Sequence, residues 1–225
     1  LVGDCAGFLV NRVLIPYINE AGFILEDGNS IETIDKTLTE FGMPMGAFIL
    51  ADEVGLDVGL KVADILYESY GERMKVSNVL RMVHDDLKLL GKKAGKGFYI
   101  HNKNGQTVVN LDIAKQLKHN TSIATTKEIT NRAIFIMINE ASRCLEEGII
   151  KKVTHLDFAM IAGTGFPAFR GGLLKYADDV GIEYIVNKLE TYKNLFGDRF
   201  TPSDLLYKLR DSKKTFYTGE ELWNH

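Results

Sequence analysis

One stretch of this chain occurs twice, and that most constrains what it can fold into. The segment GFLVNRVLIPYINEA at residues 7–21 returns as ITNRAIFIMINEA at 129–141. Asn11-Arg12 matches Asn131-Arg132, and Asn19-Glu20-Ala21 matches Asn139-Glu140-Ala141, in each case 120 positions later. Further on, Leu25-Glu26-Asp27-Gly28 faces Leu145-Glu146-Glu147-Gly148, and Asp52-Glu53-Val54-Gly55 faces Asp178-Asp179-Val180-Gly181. Two diverged copies of one helical unit stand in tandem. A helical unit with an apolar face gains by stacking on its twin, so the expectation is an all-α fold of two repeats forming an internal pseudo-dimer.

The periodicity is helical almost throughout. Residues 7–27 are apolar on more than one side, which suits a buried helix, with Pro16 inside it as an expected kink. Gly28 and Gly148 end the twin helices. A second helix starts near Ser30 and stops at Gly42; its counterpart is expected to open on a capping box, Thr154 with Asp157. Thr125 with Glu128 gives the same start signal for the long helix of the second repeat. Further helices are expected over 47–54, 57–70 and 78–90, and over 173–179, 182–196 and 202–211, the last beginning on Thr201-Pro202. Between the repeats, GKKAGKGFY (91–99) runs into a turn-rich stretch. There Asn104-Gly105 is placed to join 99–100 and 107–109 as a hairpin, and 112–118 reads as one short helix. The domain reading is 1–100, a linker at 101–124, and 125–225.

With 225 residues and 45% hydrophobic content the chain can bury a real core. A net charge of −3 provides no field to attract nucleic acid; Lys92-Lys93 and Lys213-Lys214, the largest basic groupings, read as solvated surface. No apolar run reaches the ~20 residues of a membrane span, since Asn11, Arg12, Asn19 and Glu20 interrupt the nearest one. Two cysteines, Cys5 and Cys144, suggest a reducing compartment rather than a disulfide scaffold. The chain opens on Leu1, and LVGDCAG reads as a strand end running into a turn, so a fragment of a longer protein is expected.

Three places have residues suited to chemistry. Asn11 sits early in a buried helix, where its amide can donate and accept at a cleft edge; a cap or a satisfied core group is the plainer role. Its repetition as Asn131 favours structure, and the NR…NE pattern suits a salt-bridge network across the pseudo-twofold. The Gly42-Met43-Pro44-Met45-Gly46 loop, opposite residues 165–172, permits close approach by a ligand or simply turns one helix into the next. The GKKAGKGFY loop places three lysines and three glycines where a phosphate could lie, without Walker spacing. The five histidines, at 84, 101, 119, 155 and 225, show no metal spacing. No dinucleotide fingerprint, catalytic acid pair or nucleophile elbow is present.

Taken together, GFLVNRVLIPYINEA, IDKTLTEFGMPMGAFILADEVGLD and GKKAGKGFY resemble the C-terminal domain of the L-3-hydroxyacyl-CoA dehydrogenase family. The second copy, with CLEEGII and GTGFPAFRGG, resembles the multifunctional fatty-acid oxidation enzymes, in which one chain carries hydratase, dehydrogenase and two such repeats. The resemblance implies oxidation of an acyl-CoA 3-hydroxyl with NAD, the general base being a His–Glu pair in a preceding nucleotide-binding domain. It implies that Asn11 holds the substrate oxygen and that Lys93 touches the cofactor. It also implies that Met43, Pro44, Met45 and Phe48 line the acyl side of the cleft, while Ala162 stands where relatives tend to carry Tyr and is given no role. Upstream domains of the same chain and a thiolase subunit are the implied partners. The second repeat would replace a partner subunit and act as support. The compartment would be the cytoplasm if the source is bacterial, or a mitochondrion or peroxisome otherwise. Two rivals stand: a non-catalytic helical dimerisation module, and the helical domain of another dehydrogenase family, which would lack the FGMPMG and GKKxGxGFY combination.

Overall fold

The structure is a computed structural model that describes residues 2–102, 105–117 and 123–223. Leu1, Asn104, Lys118, His119 and His225, all named above, lie outside the described residues. The first repeat comprises α1 (Phe8–Glu26), α2 (Ile31–Phe41), α3 (Ala47–Val54), α4 (Leu56–Tyr70) and the short α5 (Asn78–Arg81). A two-stranded antiparallel hairpin follows, β1 (Tyr99–His101) against β2 (Thr107–Val109), and then α6 (Leu111–Gln116). The second repeat comprises α7 (Thr126–Glu146), α8 (Val153–Thr164), α9 (Leu173–Val180), α10 (Ile182–Phe196) and α11 (Asp204–Ser212). The helices of the two repeats correspond one to one, α1 to α7 and so on to α5 and α11.

Local chemistry sets most of the boundaries. Ser30 accepts from the Thr33 N–H and caps α2, and Thr125 with Glu128 forms the expected capping box on α7. Gly28 and Gly42 take φ of 117° and 121°, left-handed values that a side chain would resist. Helix α1 continues through Pro16. Three expectations need correction. Helix α8 begins after Lys152 without a side-chain cap, because Asp157 is committed elsewhere. Helix α11 starts on Ser203, which accepts from the Leu206 N–H; Thr201 instead offers its carbonyl to Asn139 and Arg143. The helix expected over 78–90 ends as α5 and one wider turn, Met82–Asp86.

The centre of the molecule is α1 packed along α7. Val13, Tyr17, Ala21 and Ile24 are sealed between them with Ala133, Ile134, Met137 and Ile138. Each Val, Ile or Met side chain among them contributes roughly 1.5–3 kcal/mol on burial. Helix α1 is apolar and long enough to cross a membrane by length and composition; here 78% of that stretch is buried inside the protein, as a core helix.

The polar residues that interrupt it pair across the two repeats. Arg12, 0% exposed, donates from Nε to Glu140 at 2.8 Å, and Arg132 donates from Nε to Glu20 at 2.7 Å. Arg12 also meets Glu147, and Arg132 meets Asp27 at the matching position. Tyr70 and Phe196, again a matched pair, lie under the two guanidiniums at 4.4 Å and 3.9 Å. Each repeat therefore supplies the charge that the other has buried, a swap that fixes their register.

A second motif also occurs twice. Asp35 accepts from the N–H groups of Phe48 and Ile49 at the start of α3 and from the Tyr99 hydroxyl. Asp157 does the same with Leu174, Lys175 and Tyr217. Asp52 accepts from the N–H groups of Phe98 and Tyr99, and Asp178 from those of Phe216 and Tyr217. The Phe-Tyr of GKKAGKGFY thus has a twin in Phe216-Tyr217. The glycines of the loop let it close on Asp52: a Cβ at Gly97 would stand 1.9 Å from the Asp52 carboxylate. Burial pushes the Asp35 carboxyl up to about 6 despite its three donors. Parts of the stretch between the repeats dock on the first: Asn110 bonds to Gly97 and Phe98, Ile113 is fully buried, and Asn29 exchanges two hydrogen bonds with Ala124.

Candidate functional site

Asn11 and Asn131 begin the same turn of twin helices, yet their surroundings differ. Asn131 is 6% exposed and its Nδ2 donates to the Tyr184 hydroxyl at 3.3 Å, so α10 covers it. Asn11 is exposed and has no side-chain hydrogen bond among the described residues. The residue that matches Tyr184 is Val58, counted from the Gly55 and Gly181 that open α4 and α10. Val58 is 48% exposed and has no hydroxyl to offer. The second repeat therefore plugs its asparagine, and the first leaves it open. Phe8, one turn earlier on the same face, is also exposed.

The second repeat builds one wall of this edge. A Cβ at Gly163 in α8 would fall 2.8 Å from Val10, next to Asn11, and one at Gly165 would fall 2.5 Å from Pro44. Phe169 and Pro167 press on Gly42 in the same way. Arg170 donates from Nε and Nη2 to the Phe41 carbonyl and lies 4.0 Å over the Phe41 ring. The two Gly-x-Pro loops thus meet at the repeat interface. Ala162 is exposed beside this contact.

The other residues expected at the site divide into two groups. Met43 and Phe48 are sealed in the core, and Phe48 stacks 4.4 Å from Phe98. Both back the loop from the core side, where the Asp35 carboxylate holds the start of α3. Pro44 is exposed and Met45 half-buried, so these two retain a face. In the GKKAGKGFY loop each lysine has an acidic partner: Lys92 pairs with Glu53, Lys93 with Asp57, and Lys96 with Asp112. Lys93, half-exposed, reaches from the loop to Asp57 in the first turn of α4, the residue before Val58, and holds the Asp57 carboxyl below its usual range.

The open edge has a neutral amide, two apolar loop residues and one screened cation. Such groups can position an oxygen and touch a phosphate, but none of them can take a proton near neutrality. The His101 ring, 2.8 Å from Asp52, is used in closing the loop. Among the described residues no group of acidic, Cys or His side chains is arranged to hold a metal ion. Sequence reasoning missed the contrast between Val58 and Tyr184, although extending the Asp52/Asp178 match by six residues reaches it. It also missed the Phe98-Tyr99 and Phe216-Tyr217 match.

The family model described as 3-hydroxyacyl-CoA dehydrogenase, C-terminal domain, matches twice, over residues 7–101 and 129–221. The fatty acid oxidation complex subunit alpha of Shewanella amazonensis is 43% identical over 221 residues, 96% of this chain and 31% of that protein. The protein of the same description from Vibrio cholerae is 40% identical over 218 residues, with the same coverage. The chain thus spans about a third of the length of these relatives. Among solved structures, 3-hydroxybutyryl-CoA dehydrogenase from Escherichia coli K12 has the same fold, with a TM-score of 0.73 at 22% identity, covering 94% of this chain and 61% of that one. The dehydrogenase part of multifunctional enzyme 1 from C. elegans follows, with a TM-score of 0.68 at 27% identity over 92% of this chain and 49% of that one. Two matches in tandem, each over one helical repeat, place the chain in the 3-hydroxyacyl-CoA dehydrogenase C-terminal domain family.

Proposed function

We propose that this chain is the substrate-side part of an NAD-dependent 3-hydroxyacyl-CoA dehydrogenase of fatty acid oxidation, with Asn11 as its one residue that touches the reacting group. The observation behind this reading is the open Asn11 against the plugged Asn131. In the proposed complex the Asn11 amide donates to the oxygen on C3 of the acyl chain and holds it in line for hydride transfer. Pro44 and Met45 flank the acyl side. Met43 and Phe48 keep that loop in place from the core.

NAD supplies the hydride acceptor when bound. The residues here fit only a rim contact with it: Lys93 can exchange its exposed Asp57 partner for a phosphate at small cost, because solvent already screens that pair. The rest of the nucleotide site, and the base that takes the hydroxyl proton, are assigned to another domain of the longer polypeptide. The relatives named as subunits of an oxidation complex support further domains in one chain, and a thiolase subunit as partner belongs to the same proposal. Their bacterial origin supports a cytoplasmic setting.

The dimerisation-module reading assigns equal weight to Asn11 and Asn131, which their different surroundings disfavour. Asn11→Ala in the complete dehydrogenase tests the choice. A fall in kcat of about a hundred-fold with an unchanged melting temperature supports a positioning role. Unfolding with normal specific activity of the folded fraction would return Asn11 to a structural role.

A further inference from the structure

The first repeat has a cavity of ≈ 30 Å³ between α1, α3, α4 and α5. Three of its walls are formed by side chains smaller than their counterparts in the second repeat. Ile15 stands for Phe135, Gly59 for Ile185 and Ala63 for Leu189, and all three larger residues are fully buried in their own repeat. A Cβ at Gly59 would meet no atom within 4 Å. Val54, which also lines the cavity, is 43% exposed, so the space reaches the surface.

One polar side chain lines it. Asn19 is 3% exposed, and among the described residues neither its Nδ2 nor its Oδ1 has a hydrogen-bond partner. Its twin Asn139 is fully engaged, donating to the Thr201 carbonyl at 2.9 Å and accepting from the Ser203 N–H at 2.8 Å. A buried carboxamide with both ends free is costly, and such groups ordinarily find a partner. The same sequence position is thus a structural tie in one repeat and an unpaired group beside a cavity in the other.

We propose that this cavity is a binding site for the end of a narrow, unbranched aliphatic chain bearing one neutral hydrogen-bonding group, an alcohol or a primary amide. The apolar walls take the methylene groups, and Asn19 pairs with the polar end. Among the described residues no charged side chain lines the cavity, so a carboxylate or ammonium would be buried uncompensated and is excluded. A water needs about 10–15 Å³ on this measure, so the space admits a chain end but no ring. The site is independent of the dehydrogenase reading and concerns a different asparagine.

The test is titration of this chain with 1-butanol, followed by the ¹H–¹⁵N signals of the Asn19 side-chain amide. A saturable shift is expected, weakened about ten-fold or more by Ala63→Leu, which installs the residue the second repeat already packs. Gly59→Ile, pointing into open space, serves as a second filling variant and should have the same effect. Asn19→Leu, followed instead by the backbone ¹H–¹⁵N signals of Leu60 and Ala63 in the cavity wall, should reverse the preference of the site from 1-butanol to the isosteric n-pentane. A non-saturable response, as expected if the cavity holds only solvent, would overturn the proposal, as would equal binding by both filled variants or an unchanged preference in Asn19→Leu.

Discussion

Glu20→Gln isolates the electrostatic part of the contact between repeats, because glutamine matches glutamate in shape and leaves no void. In the folded chain Glu20 is fully buried and faces two guanidiniums, Arg132 at 2.7 Å and Arg199 at 2.8 Å. Neutralising it leaves Arg132, 2% exposed at the side chain, with Asp27 as its remaining acidic partner. Removing one member of a buried pair costs about 3–5 kcal/mol, chiefly from the uncompensated charge left behind. With a urea slope of about 2–3 kcal/mol per molar, the unfolding midpoint should fall by roughly 1–2.5 M. Glu140→Gln should cost less, since its further guanidiniums, Arg73 at 3.6 Å and Arg143 at 3.7 Å, lie farther off than Arg199 does from Glu20. Adding Arg132→Gln to Glu20→Gln should recover part of the loss, with a coupling of about 0.5–3 kcal/mol in a double-mutant cycle. A Glu20→Gln protein within about 0.5 kcal/mol of the parent would show that apolar packing of α1 on α7 alone carries the contact, and the argument from swapped charges would fail.

Three further outcomes are expected. The burial-raised Asp35 carboxyl, pushed from 3.8 to about 6, binds its proton more tightly folded than unfolded, so its contribution is complete below about pH 4 and is lost as pH rises through 6. That amounts to about 2–3 kcal/mol, and the difference in stability between Asp35→Asn and the parent across pH 4–7 should change by this amount; a pH-independent difference would contradict it. Thr125→Ala, which removes the α7 capping box, should lower stability by about 1 kcal/mol in thermal unfolding. This chain by itself should fold but show no NAD-dependent oxidation of 3-hydroxyacyl-CoA, and measurable turnover would refute the division of labour proposed above.

The duplication was legible in the sequence because it lies in the most apolar helix, where burial limits change on every side. Arg12 and Glu20 match Arg132 and Glu140 in spacing because each pairs with the opposite member of the twin set, and Gly28 matches Gly148 because both take a left-handed φ at a helix end. Helices with a clean cap or a left-handed glycine at one end, such as α2 and α10, were placed to within a residue. Errors arose where a side chain serves a distant partner. Asp157 reads as a local cap yet reaches α9 and Tyr217, and Thr201 reads as a cap yet offers only its carbonyl. The burial of Met43 and Phe48 was hidden for the same reason, because nothing local reveals that Asp35 holds the start of α3 against the core. The asymmetry at Asn11 depends on Val58 against Tyr184, a difference between copies, whereas similarity between copies was the signal followed.

The central claim is that two like bundles differ in whether their asparagine edge is covered. Val58→Tyr in the complete dehydrogenase transfers the plug of the second repeat onto the first. The account predicts that kcat/KM falls at least as far as in Asn11→Ala while the melting temperature is unchanged. Unaltered turnover with the tyrosine seated over Asn11 would contradict it.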